Sequence, residues 1–222
     1  MKRKLAVILI CIAALAAFFY TAACLLGAEP LLVSAEVKKK HEVMIRSEDI
    51  YFASGEIAQG LLQEIPLTDQ GRRNHGNAFR VANPLAMGSL CSQTGIGSSS
   101  RRAWLLARPE LMLHYNPVYF VNRGVLAVSV VFGYQYPRPS ISSVVREGSR
   151  LTVTIETMES VVGTDAEWQV VILIGMDKAE LAGVREVEIV RESASENSEK
   201  PFSWDPFWGV KSQEWLEKNW EG

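Results

Sequence analysis

Twenty-three consecutive residues, Leu5 to Gly27 (LAVILICIAALAAFFYTAACLLG), carry no charged side chain, and they directly follow Met1-Lys2-Arg3-Lys4. An apolar run of about 20 residues spans the hydrocarbon of a bilayer as a helix, because there only a helix satisfies every backbone group within the segment itself. The cationic tip, residues 1–4, resists translocation and is expected to stay cytoplasmic, with the rest of the chain outside. Glu29 and Pro30 close the segment on its far side. Lys38-Lys39-Lys40 lies beyond it, accompanied by Glu29, Glu36 and Glu42, and is too distant to reverse that orientation.

The run exceeds the 7–15-residue core usual in a cleaved signal peptide, which favours a retained helix. Thr21-Ala22-Ala23 and Val33-Ser34-Ala35 nevertheless offer small residues for cleavage and secretion. Thr21-Ala22-Ala23-Cys24 is similar to a degenerate lipoprotein box in which Cys24 would carry lipid. Each alternative places the following domain outside the cytoplasm, held at the bilayer through residues 5–27 or released from it.

Residues 1–27 hold three of the 23 basic residues and none of the 25 acidic ones, so the remainder carries 20 against 25. A mildly acidic remainder gives no electrostatic reason to bind nucleic acid. The 195 residues left are enough for one domain with a real core. Cys11 and Cys24 lie in the apolar run, so Cys91 stands alone beyond it and no disulfide can form there. Stability must come from packing.

The domain expected over residues 41–191, after a linker at 28–40, is β-rich. His41 to Phe52 partly alternates and reads as a strand. Ser54 to Gln63 could be a short helix, and Thr68 to Ser100 is rich in turn formers, with a short strand at Phe79-Arg80-Val81. Helical pieces are expected at 101–106, at Pro109 to His114, and at Val118 to Asn122 after Asn116-Pro117. Val125 to Tyr134 is a near-continuous β-branched run, as in a strand buried on both faces. Ile141 to Arg146, Leu151 to Met158, Trp168 to Ile174 and the Val187/Ile189 pair follow as strands, with a tight turn at Glu147-Gly148-Ser149 and a helical turn at Asp177 to Leu181. Leu151, Val153 and Ile155 alternate with Thr152, Thr154 and Glu156, which predicts one wet face. The expected class is α+β: an N-terminal transmembrane helix, then an antiparallel β-meander of about five strands with short helices on one face.

A polar linker at 192–200 leads to an aromatic tail at 201–222. Four of the six tryptophans (Trp204, Trp208, Trp215 and Trp220) fall in the last nineteen residues, beside Phe202 and Phe207. Such side chains dominate interface hot spots and membrane–water belts, so these six are the candidate partner-binding residues. The competing reading is that the tail folds back to cover an apolar face of the sheet. Ser212 is placed to cap a helix from Gln213 to Trp220, with Glu214 and Lys218 spaced as an i,i+4 pair.

Catalytic signatures are sparse. His41, His75 and His114 match no metal spacing, and Gly95-Ile96-Gly97 lacks the strand and Lys-Ser/Thr of a phosphate loop. No catalytic, cofactor or metal residue is assigned. Cys91 with His75 or His114 supplies one alternative, an extracytoplasmic hydrolase, though a small buried hydrophobe is the plainer role for that cysteine.

The order Tyr115-Asn116-Pro117-Val118-Tyr119-Phe120-Val121-Asn122-Arg123-Gly124, then a β-run, a hairpin, Val162-Gly163-Thr164, Trp168 and the Ile172/Ile174 alternation, resembles the small bacterial extracytoplasmic domains similar to the C-terminal domain of PrcB, a protease-complex subunit. The resemblance covers residues 115–189 and departs from the usual pattern at Tyr134 to Pro139. It implies a non-catalytic domain that binds or stabilises another envelope protein.

Overall fold

The computed structural model describes residues 40–55, 57, 62–68, 76–93, 107–132, 138–158, 168–193 and 211–219. The expected membrane-spanning segment, most of both linkers and the tail residues Phe202, Trp204, Phe207, Trp208 and Trp220 lie outside them. Among the described residues no helix is long and apolar enough to cross a membrane.

Among the described residues, ten strands and five short helices form a mixed α+β fold whose sheets are mostly antiparallel. In chain order the elements are β1 (His41–Glu42), a 3-10 turn (Ser47–Asp49), β2 (Ile50–Ser54), β3 (Gln63–Ile65), β4 (Asn77–Val81) and α1 (Pro84–Gln93). Helical residues 107–114 form α2. Then come α3 (Tyr119–Asn122), β5 (Arg123–Phe132), β6 (Arg138–Glu147), β7 (Arg150–Met158), β8 (Trp168–Asp177), α4 (Lys178–Leu181), β9 (Glu186–Ser193), β10 (Lys211–Ser212) and α5 (Gln213–Asn219).

The five expected strands exist, but they do not form a meander. They divide between a four-stranded sheet, β1-β6-β7-β9, and a six-stranded sheet, β10-β2-β8-β5-β4-β3. The reason is the number of apolar faces each strand carries. Leu126, Val128 and Val130 of β5 and Val170, Ile172 and Ile174 of β8 face one core, while Val125 and Ala127, and Val171 and Leu173, face another. Strands apolar on both sides need cover on both sides, so β5 and β8 pair with each other along ten residues in the middle layer. The described apolar residues of β7 that are buried, Leu151, Val153 and Ile155, all face the inner core, and β7 belongs to the outer sheet. There it pairs in parallel with β9, an edge strand as expected.

The inner core lies between the two sheets. On the other side of the six-stranded sheet, Met87, Leu90, Leu111, Tyr115 and Phe120 from the helices close a second core. The molecule therefore has three layers: sheet, sheet, helices.

Three local corrections follow. The His41–Phe52 segment is not one strand: it leaves the outer sheet after β1 and enters the inner sheet as β2. The proposed Ser54–Gln63 helix has its ends in β2 and β3, with most of its interior outside the described residues. The turn-rich stretch from Thr68 to Ser100 contains the expected short strand, within β4, and also the unexpected ten-residue α1. Asn83 starts that helix, its Oδ1 accepting from the Ala86 amide at 2.8 Å, with Pro84 in the first turn where its missing N–H costs nothing.

The sequence Ile141-Ser142-Ser143-Val144 interrupts strict alternation, yet both apolar residues face the core. A register shift between Ile141 and Ser143 absorbs the extra residue as a bulge. The hairpin turn falls at Gly148-Ser149, with Gly148 at φ 60, a region that favours glycine.

Candidate functional site

The C-terminal segment docks on the domain. β10 adds to the edge of β2, pairing Lys211 with Phe52 and Ser212 with Tyr51. Ser212 Oγ then accepts from the Trp215 amide at 3.2 Å and caps α5, as the spacing predicts. Glu214 and Lys218 form the expected i,i+4 pair. Gln213 is buried, and its Oε1 accepts the Ile141 amide at 3.0 Å. The tail thus supplies the partner for backbone groups on an edge of β6 that β1, paired only at Val145 and Arg146, does not cover. Leu216 packs on the inner core.

Folding back and surface display, the two readings of the tail, coexist in this helix. While Gln213 and Leu216 face inward, Trp215 remains 44% exposed. The Lys211 ammonium sits 4.5 Å from the centre of the Trp215 ring. Such a cation–π contact orients the indole without hiding it. Of the six candidate partner-binding residues, Trp215 is the one within the described residues.

A second constellation escaped the sequence reading. Asp49, 3% exposed, ends the 3-10 turn before β2. Its Oδ1 lies 3.1 Å from His114 Nε2, at the end of α2. Arg123 Nη2, at the start of β5, lies 2.9 Å from Asp49 Oδ2, an ion pair whose geometry falls short of a hydrogen bond. The same guanidinium nitrogen donates to the Gly175 carbonyl of β8 at 3.3 Å, and the Arg123 guanidinium lies 5.3 Å from the Tyr119 ring centre. Tyr115 Oη donates to the Asp49 carbonyl at 3.0 Å.

Gly175 makes the cluster possible. A Cβ there would stand 2.0 Å from Tyr119 Oη and 3.1 Å from Asp49 Cβ. Tyr51, His114, Tyr115 and Tyr119 pack ring against ring, with tilted or edge contacts at 4.6–5.7 Å. Burial, reinforced by the charges of Glu110 and Asp49, pushes the Tyr51 phenol up to about 12. Burial raises Tyr115 and Tyr119 as well, so all three rings stay protonated at neutral pH. One carboxylate therefore gathers the 3-10 turn, α2, α3, β5 and β8. Its visible work is to join the helical layer to the sheet.

Cys91 lies in the second core, fully buried, and burial pushes its thiol up to about 11. A thiol so placed is protonated and enclosed at neutral pH, the opposite of an activated nucleophile. His75 lies outside the described residues, and His114 is committed to Asp49. His41 meets Glu180 of α4 at 2.9 Å. Beside it, buried Arg146 donates to the carbonyls of Gly148, Ala179, Glu180 and Ala182, which ends the α4 turn and fixes it to the β6–β7 hairpin. Among the described residues no group of three or more His, Cys, Asp or Glu side chains could hold a metal ion.

Comparison of the chain with protein-family models, with curated proteins and with solved structures returns no match.

Proposed function

We propose that the chain is a single-pass membrane-tethered domain, held outside the cytoplasm by residues 5–27, that binds or stabilises another envelope protein through its aromatic tail. The observation that carries this reading is Trp215. It is displayed on a helix whose inward face is locked by Gln213 and Leu216 and whose approach strand is paired to β2. A large indole held on a rigid support loses little conformational freedom on binding, which is what an interface anchor requires. Phe202, Trp204, Phe207, Trp208 and Trp220 are the further candidate anchors in this reading. The uncharged run behind a cationic tip supports the tether, and the resemblance of residues 115–189 to the PrcB-like envelope domains supports the binding role.

Deleting the tail is a poor test, because it would also remove β10 and the partner of the Ile141 amide. The appropriate variant is Trp215→Ala in the full-length chain, with a photo-crosslinkable residue at Glu217, which is exposed on α5. The wild-type background is expected to give one defined cross-linked protein in intact cells, lost in Trp215→Ala while the unfolding curve stays within about 0.5 kcal/mol. An unchanged cross-link would remove Trp215 from the interface. Protease added to intact protoplasts is expected to remove the domain, and full protection would overturn the orientation.

A further inference from the structure

One stretch of the helical layer, residues 111–122 (LMLHYNPVYFVN), carries no Asp, Glu, Lys or Arg of its own. Leu111, Tyr115 and Phe120 point into the second core. Leu113 and Val118 point out, 77% and 80% exposed, with Pro117, Val121 and Asn122 exposed around them. Single exposed apolar residues are ordinary on soluble proteins; one corner displaying several is less so.

The position of this corner is informative. The first residue described after the uncharged run is Lys40, which is exposed, and His41 contacts Glu180 of α4. Lys178 of the same four-residue helix donates its Nζ to the Phe120 carbonyl at 3.3 Å. Phe120 lies between Val118 and Val121. So the point where the chain enters the domain and this corner are separated by one helical turn and three side chains, His41, Glu180 and Lys178.

We propose that this corner rests on the bilayer surface, with Leu113, Val118 and Val121 at the depth of the lipid headgroups. The proposal depends on the tethered reading above. Residues 28–39 would then be the whole leash, twelve residues, which reaches at most about 40 Å extended and on the order of 20 Å as a flexible coil. At that range contact with the membrane is an intramolecular event, and a small apolar surface suffices. The chemistry matches an interfacial seat: aliphatic tips, Tyr119 half-buried beside them, and Lys40 exposed at the chain's entrance to meet anionic headgroups. Asp177 and Glu42, exposed at the same end, set a limit on depth and keep the contact superficial.

The test uses full-length protein with Cys11→Ala and Cys24→Ala, Cys91 being buried. It is reconstituted in phosphatidylcholine–phosphatidylglycerol vesicles with nitroxide-labelled lipids. A fluorophore is attached at Val118→Cys or, in a second variant, at Asn122→Cys. The reference label is Glu192→Cys, exposed on β9 six residues beyond its membrane-proximal end, about 20 Å further away. Quenching at 118 and 122 is expected to exceed that at 192 by at least about threefold. If the protein stays in the vesicles after alkaline extraction but the three labels are quenched equally, the corner does not touch lipid and this inference fails alone. If the protein is extracted, the tethered reading fails and takes the inference with it.

Discussion

The Asp49–Arg123 pair offers the sharpest test of how the layers are joined. Asp49 Oδ2 and Arg123 Nη2 stand 2.9 Å apart, with the Asp49 side chain 4% and the Arg123 side chain 17% exposed. At an effective dielectric near 20 the gross attraction is about 6 kcal/mol. Desolvation of both ions offsets much of it, so the net value of the pair against an apolar replacement is small. Breaking it from one side is different, because the other ion is left buried. Asp49→Asn strands the Arg123 guanidinium, which keeps the Gly175 carbonyl and the Tyr119 ring but no counter-charge, and is expected to cost about 3 kcal/mol. Arg123→Met, which keeps the aliphatic stem, should cost about 2 kcal/mol, and the double variant clearly less than the sum. Urea unfolding of the four proteins in detergent gives a double-mutant cycle with a coupling of about 2 kcal/mol. The corresponding fall in Tm for Asp49→Asn is roughly 6–12 °C. A coupling below about 0.5 kcal/mol would mean that the pair is screened and that ring packing alone holds the helices, refuting the brace.

Gly76→Ala should destabilise more than Gly148→Ala: a Cβ at Gly76 meets the Ser129 carbonyl oxygen at 2.2 Å, whereas at Gly148 nothing lies within 4 Å and the cost is the positive φ alone, about 1 kcal/mol by denaturant titration. Asn83→Ala removes the cap of α1 and is expected to cost about 1 kcal/mol in the same assay. Gln213→Ala leaves the Ile141 amide buried without its acceptor and should cost about 1–3 kcal/mol; a neutral result would show that water reaches the bulge. Cys91 should resist iodoacetamide at pH 8 until the protein unfolds. Its folded pKa lies above the unfolded value, so its contribution to stability is intact below about pH 9 and is lost as pH rises towards about 11. Wild type should therefore lose stability over that interval faster than Cys91→Ala, and equal alkaline slopes would contradict the burial argument.

Several features were legible because they are local. The Ser212 cap, the Glu214–Lys218 pair, the turn at Gly148, the helical pieces ending at His114 and Asn122, and the two-faced character of Val125–Phe132 each depend on residues a few positions apart. Helix α1 was missed, because the glycines and serines around it read as turn formers, although Asn83-Pro84 is a local start signal. The bulge was foreshadowed by the spacing of Ile141 and Val144 but not its partner, which comes from Gln213, 72 positions away. The Asp49 cluster had no local sign. Nothing in His41 to Phe52 distinguishes Asp49 from Glu48, yet the second stays at the surface beside Arg46 and the first is sealed under His114 and Arg123.

The amino-acid sequence by itself determined which segments from Val125 to Ile189 are strands and how many apolar faces each must hide, because side-chain alternation is a property of neighbouring residues. It also fixed the uncharged N-terminal run and the aromatic richness of the tail. Only the tertiary structure decided which strands share a sheet, that the tail's last helix completes β6, and that one carboxylate joins helices to sheet. Those outcomes depend on pairing free energies between residues tens to more than a hundred positions apart, and such pairings exist only once both cores have closed.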